Sequence, residues 1–305
     1  MKRLILLFII LTINFSAKAE CTSSGINVWP TQQNISTNSI FVIEGYAQSQ
    51  ELIRQLNKKN KVYLKCSSEI IPIKVLRILE GQYSLTQAIL KPEKDLQIGK
   101  TYELHIDNLG MFDIDEYKVV KWTVNSENEI EKPEWNCEPT LKNKSFIAFG
   151  CGPAMYVDFC GTVKDKSPTL IYAKVIDKNK NTSSEYFLTS ENQKISIGHG
   201  MCSGEFSFDE STNYEVQFGL MDASGNENLT LTEPIEFSSP TEKDESLNEF
   251  SCNCTNSKIK KESNKKEILN IGKLNQSKLL TYGFIGLGII AIGILIFNRR
   301  KNACS

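Results

Sequence analysis

Histidine is almost missing from this chain, with two in 305 residues, His105 and His199, well separated in sequence. No C-x-x-C pair makes up for the shortage, so a zinc cluster lacks its ligands. A soft-metal site built from His199, Met201 and Cys202 would need a second histidine nearby, and none is there. A net excess of either charge is missing too. The formal net charge is −1, and residues 20–239 carry no extended basic block, which argues against nucleic acid as a partner. No pattern calls for a cofactor.

What is present begins at the two ends. Lys2 and Arg3 precede an apolar run from Leu4 to Ile13, and Ala17 and Ala19 form an A-x-A exit. This is the outline of a secretory signal peptide over 1–19. Leu279 to Phe297 is apolar throughout. At about 1.5 Å per residue it reaches about 28 Å as a helix, near the thickness of a hydrocarbon core. Asn298, Arg299, Arg300 and Lys301 follow as a stop-transfer flank, so 279–297 is expected to span a membrane. Residues 298–305 would then form a cytoplasmic tail, with everything from Glu20 to Lys278 outside. Gly283, Gly286 and Gly293 fall near one face of the span, where a second copy could pack.

Between these ends, short β-rich runs are separated by Gly, Asn, Asp and Ser clusters. "SIFVIEGY", "VYLKCS", "IIPIKVLRI", "YSLTQAIL", "TYELHI" and "YKVVKWTV" fill the first half. "KSFIAFG", "AMYVDFC", "TLIYAKVID", "SEYFLT", "KISI", "GEFSF", "NYEVQFGLMD" and "LTLTEPIEF" fill the second. Several alternate, as in Tyr102, Leu104 and Ile106 against Glu103 and His105, the pattern of half-buried strands. Ser49 to Asn60 instead spaces Leu52, Ile53 and Leu56 as a short helical turn. "DASGNEN", Asp222 to Asn228, reads as a hairpin turn. Length favours two domains, 20–128 and 129–239, with Pro133 and its polar surroundings at the boundary. From 240 to 278 the chain is too polar to bury a core and reads as a flexible charged linker.

The nine cysteines are spread unevenly. Cys21 and Cys66 lie in the first expected domain; Cys137, Cys151, Cys160 and Cys202 lie in the second. Cys252 and Cys254 sit in the linker, and Cys304 stands behind the span. Even numbers in each outer segment of an exported chain predict disulfides, one in the first domain and two in the second. Cys252 and Cys254 would close a strained ring with each other, so a bond to another chain or a partner is an equal alternative; modification, as the resemblance to processed C-terminal sorting tails of some bacterial surface proteins implies, is a further one.

"LQIGKTYELHI", Leu96 to Ile106, resembles a stretch of fibronectin type III and bacterial immunoglobulin-like domains in which a tyrosine packs and hydrogen-bonds at a corner between strands. Tyr102 takes that place, and Tyr214 in "STNYEVQFGLMDASGN" is similar. "PTQQNISTNSIFVIEGY" resembles the opening of such domains. The resemblance implies an all-β fold of two tandem immunoglobulin-like sandwiches, of the sort used for stalks, adhesion and protein binding. It also implies that "AMYVDFC" and "GEFSF" are antiparallel neighbours. Cys160 would then meet Cys202, leaving Cys137 for Cys151, one of three pairings open to four cysteines.

One stretch carries the letters of catalysis. Gly200 to Gly204 spells G-x-C-x-G, with His199 beside Cys202. A nucleophile elbow needs a strand, a sharp turn and then a helix, and the following "EFSFDESTNYEVQF" alternates as a strand. The stretch is therefore expected to be a glycine-rich turn with His199 exposed, and His105 to be a solvated surface residue. The expected function is that of a membrane-anchored extracytoplasmic binding or structural module, not an enzyme, held to lipid by its C-terminal helix and meeting an unidentified protein partner. The alternatives are an accessory subunit of an envelope complex that makes contact through its span, and a cysteine-dependent hydrolase using Cys202 and His199.

Overall fold

Alternation sets most of the strands. In a computed structural model the described residues are 24–67, 69–109, 120–150, 152–244 and 252. The first half comprises β1 (Gly25–Trp29), β2 (Asn34–Ser36), β3 (Phe41–Tyr46), α1 (Ser49–Arg54), β4 (Val62–Cys66), β5 (Glu69–Glu80), β6 (Leu85–Pro92), β7 (Thr101–Ile106) and β8 (Lys121–Ser126). The second comprises β9 (Glu134–Ile147), β10 (Ala154–Lys164), β11 (Thr169–Asp177), β12 (Thr182–Leu188), β13 (Lys194–His199), β14 (Asn213–Asp222), β15 (Glu227–Asn228) and β16 (Ile235–Ser238). The fold is all-β, as expected. The expected signal peptide, Cys21, Cys151, Cys254, the expected linker over 245–251 and 253–278, the expected span with Gly283, Gly286 and Gly293, and the expected tail lie outside the described residues. Among those described, no helix is long and apolar enough to cross a membrane.

In the first half the strands run in the order β1-β3-β6-β5-β4-β7-β8-β2. The long β5 serves both ends of that order. Its first residues pair with β4, its later ones with β6, and a register shift between Val75 and Arg77 marks the irregularity. Such a bulge bends a strand, letting one sheet supply two walls. Phe41 and Ile43 of β3 and Leu90 of β6 share a core with Leu64 of β4, Leu104 of β7 and Trp122 of β8. The Phe41 and Trp122 rings lie 4.4 Å apart. Helix α1 adds Leu52 and Ile53 to this core and ends at Arg54, short of the expected span. Asn57, at positive φ, turns the chain and gives its amide to the Ile73 carbonyl at 2.6 Å.

The second half has a three-stranded sheet, β13-β10-β9, and a five-stranded one, β12-β11-β14-β15 with β16 also on β14. Val157, Phe159, Ile195 and Ile197 from the first share a core with Ala173, Val216 and Phe218 from the second. The turn at Asp222 forms where expected: Gly225 takes φ +82°, and Asp222 Oδ1 accepts the amides of Ser224 and Asn226, each at 2.8 Å.

Packing does not break at the expected boundary. Trp29, Ile40, Val42, Leu79, Leu85 and Ile89 from the first half belong to the core of the second. All described residues fall in one compact unit. The reason lies in β3 and β6, whose runs are apolar at consecutive positions and so bury both faces. Backbone bonds join the halves as well, from Ile40 N to Ala223 O at 2.8 Å and between Gly204 and Tyr83.

"GEFSF" is not a strand, which corrects the expected pairing with "AMYVDFC". The neighbours of β10 are β13 and β9. The backbone around Gly204 crosses instead to the β5–β6 turn, where Gln82 N donates to Glu205 O at 3.0 Å and Ser207 N to Gln82 Oε1 at 2.8 Å. Phe206 and Phe208 remain buried from this irregular path.

Candidate functional site

One cysteine pairs differently from the expectation. Cys160 is bonded to Cys252, not to Cys202, across 92 residues of chain. Within β10, Cys160 lies opposite Lys194 and Thr140, so the segment holding Cys202 never reaches it. Cys137 and Cys202 are each in a disulfide as well. Cys66, expected in a disulfide, is a half-buried free thiol at the end of β4, opposite Glu69.

At the G-x-C-x-G stretch, His199 is 6% exposed, which corrects its expected place at the surface. Its Nδ1 donates to Gly200 O at 2.9 Å, and its ring lies 5.0 Å from that of Tyr83. The glycines serve close packing. A Cβ on Gly204 would stand 2.3 Å from His199 Cα, and one on Gly198, at φ +142°, would stand 2.0 Å from Met155 O. Because its sulfur is in a disulfide, Cys202 has no thiol to ionise, and the Cys202/His199 pair has no nucleophile. His105 is half-buried, stacked on Tyr63 at 5.4 Å and 3.5 Å from Glu103 Oε2. The two corner tyrosines act alike. Tyr102 Oη accepts Gln97 N at 3.1 Å, and Tyr214 Oη accepts Asp209 N at 2.8 Å.

Two groupings of polar residues escaped the sequence reading, both where the halves meet. In one, Glu129, Asp165 and Asp222 bring one oxygen each within 4.8 Å of one another. Asp222 is fully buried, and burial raises its pKa and that of Glu129, the latter raised further by its acidic neighbours. Such oxygens suit a hard cation. Asp222 also orders its turn, taking Asn226 Nδ2 on Oδ2 at 2.7 Å, while Asp165 Oδ1 takes Ser167 N at 2.7 Å.

In the other grouping, a cavity of about 300 Å³ lies between β3 and β6 on one side and β12 and the segment after Gly204 on the other. Glu44, Gln87, Glu205 and Trp29 line it, with Val28 and Leu188. Glu44 accepts Asn27 Nδ2 at 3.2 Å and Tyr186 Oη at 3.0 Å. Burial raises the Glu44 pKa against these hydrogen bonds. Burial, with Glu44 adding to it, pushes the Glu205 carboxyl up to about 7. Gln87 is 3% exposed; its Nε2 donates to Phe187 O at 3.1 Å, but its Oε1 is buried with no hydrogen-bond partner. A cavity that gathers polar groups and shifted carboxyls is where ligand chemistry concentrates. One signal for it stood in the sequence: Glu44 breaks the apolar run "SIFVIEGY", and Gln87 sits inside "YSLTQAIL".

No family model matches the chain, and no curated protein matches it. Among solved structures, a cytokine receptor complex aligns over 71% of this chain and 97% of its own, at 9% identity and a TM-score of 0.24. A pullulanase from Anoxybacillus sp. LM18-11 in complex with maltotriose aligns over 61% of this chain and 23% of its own, at 9% identity and 0.21. A Bacillus subtilis pullulanase in complex with maltose aligns over 68% and 28%, at 10% and 0.21. Likeness at this level assigns neither a fold family nor an activity.

Proposed function

We propose that this is an exported, membrane-anchored protein whose β-rich body works outside the cytoplasm as a binding or structural module for a protein partner. The observation that carries the reading is the Cys160–Cys252 disulfide. Such bonds persist where the surroundings are oxidising, and Cys137 and Cys202 are each in a disulfide too. Cys252 lies within the expected polar linker, 240–278, so the bond ties that segment to β10. Closing so long a loop is worth about 4 to 5 kcal/mol by loop-closure entropy.

The matching hydrogen bonds of Tyr102 and Tyr214 support two sandwiches of immunoglobulin-like kind, one in each half. Lipid is then the first partner, through the C-terminal span, and Gly283, Gly286 and Gly293 offer a seam for a second copy.

Fractionation of cells expressing the full chain tests the reading, followed by protease treatment from outside and peptide mapping without reduction. The expected result is a membrane-bound protein, cut from outside, with Cys160 and Cys252 recovered in one linked peptide. A soluble cytoplasmic protein with both thiols free overturns it.

A further inference from the structure

The cavity between β3–β6 and β12 is lined by acceptors with no positive charge to meet them. Glu44 is served by neutral donors, Asn27, Tyr186 and Gln87. Glu205 gains no side-chain donor. Among the described residues no lysine, arginine or histidine forms an ion pair with either. Lys194, which lines the adjoining cavity with Glu205, is held by Asp158 at 3.2 Å, and Arg77 pairs with Glu227. The Gln87 amide spends its N–H groups on Phe187 O and Glu44, leaving Oε1 buried and empty-handed. A buried acceptor without a donor is costly, and so is a buried carboxylate without a counter-charge.

A primary ammonium carries one positive charge and three donors, the chemistry that the two carboxylates and the amide oxygen of this cavity lack. Beside these polar groups the lining is apolar, with Val28, Trp29, Val42, Leu170 and Leu188. Those walls suit an aliphatic stem, and the Trp29 ring adds attraction for a cation. The volume, about 300 Å³, is at the small end of ligand sites. Glu44 and Glu205 each keep some exposure, so a solute can reach them. We propose that this cavity binds an alkylammonium group through Glu44, Gln87 and Glu205, supplied either by a free amine or by the lysine side chain of a partner.

Titration calorimetry on the full chain in detergent at pH 8 tests this with butylammonium, with 1-butanol as the neutral control. Saturable binding of butylammonium, at least tenfold tighter than 1-butanol and weakened at least tenfold by Glu205→Gln and by Glu44→Gln, is the expected result. Equal binding of the two probes, or an unchanged affinity in a folded Glu205→Gln protein, overturns the proposal. A second measurement needs no variant. The charged groups around Glu205 are Glu44 from β3 and, at the adjoining cavity, Glu191 and Lys194, the latter already paired. Protonation of Glu205 should therefore weaken butylammonium binding several-fold between pH 8 and pH 6, and a flat profile counts against the site. The source is read from a capped Ala-Lys-Ala peptide: tighter binding than butylammonium assigns a partner's lysine, weaker binding a free amine.

Discussion

The two faces of the β3–β6 pair are both buried, yet they are built differently. One presents Phe41, Ile43, Ala88 and Leu90 to the first half's own core. The other sends Val42 and Ile89 into the core shared with the second half and sets Glu44 and Gln87 among them. The first face is mostly apolar, and its one buried hydroxyl, Thr86, is satisfied by donating to Glu80 Oε2 at 2.8 Å and accepting Arg54 at 3.1 Å. The second accepts a desolvation cost at Glu44 and an unmet acceptor at Gln87, which an apolar pair of the same size would avoid. Burial by itself therefore does not explain the second face, and its polar residues are where a specific role is to be sought.

The largest effect should come from the apolar face. Phe41→Ala removes a fully buried ring packed on Trp122 and should cost about 4 kcal/mol, measured by chemical denaturation. A loss below about 1 kcal/mol would mean that the two faces are not so different.

The polar face should instead show itself through pH. A glutamate titrating at 4.5 when unperturbed is held at about 7 in Glu205, so between these values the folded state binds more protons than the unfolded one. Stability is then greatest below about 4.5 on this account and falls as pH rises to about 7, by about 3 kcal/mol. Glu44, also raised, adds in the same direction. Glu205→Gln should flatten that slope and raise the melting temperature at pH 8; an unaltered slope would place its origin elsewhere.

Asp222→Ala leaves the amides of Ser224 and Asn226 without their acceptor in a buried turn. It should cost about 2 kcal/mol in the same denaturation assay. The smallest effect compares the halves directly. Tyr102→Phe and Tyr214→Phe each remove one hydroxyl that accepts a backbone amide, and each should cost about 1 kcal/mol. Unequal losses would show that the two corners are not equivalent.

Much of the sheet content was legible. "TYELHI", "TLIYAKVID" and "NYEVQFGLMD" form strands at the expected residues, because alternation and β-branched content act locally. "GEFSF" alternates too, yet the backbone around Gly204 is taken by Tyr83 and Gln82 from the other half. The unbroken apolar stretch Ile40 to Ile43 already hinted at burial on two faces. Read as an ordinary strand of a separate domain, it did not reveal the shared core. The disulfide was hidden for a similar reason: the partner of Cys160 sits in a polar linker, 92 residues away, where no pattern marks a contact. Of the candidate site, Glu44 and Gln87 were visible only as polar letters in apolar runs, and Glu205 only as part of a supposed strand.

The chain's own text determined the all-β class, most strand positions and the turn at Asp222, since side-chain alternation and turn chemistry operate over a few residues. Tertiary structure alone decided that the halves share a core, that Cys160 meets Cys252, that His199 is buried, and that Glu44, Gln87 and Glu205 line one cavity. Each of these joins residues distant in sequence, and their energies depend on which surfaces exclude water together.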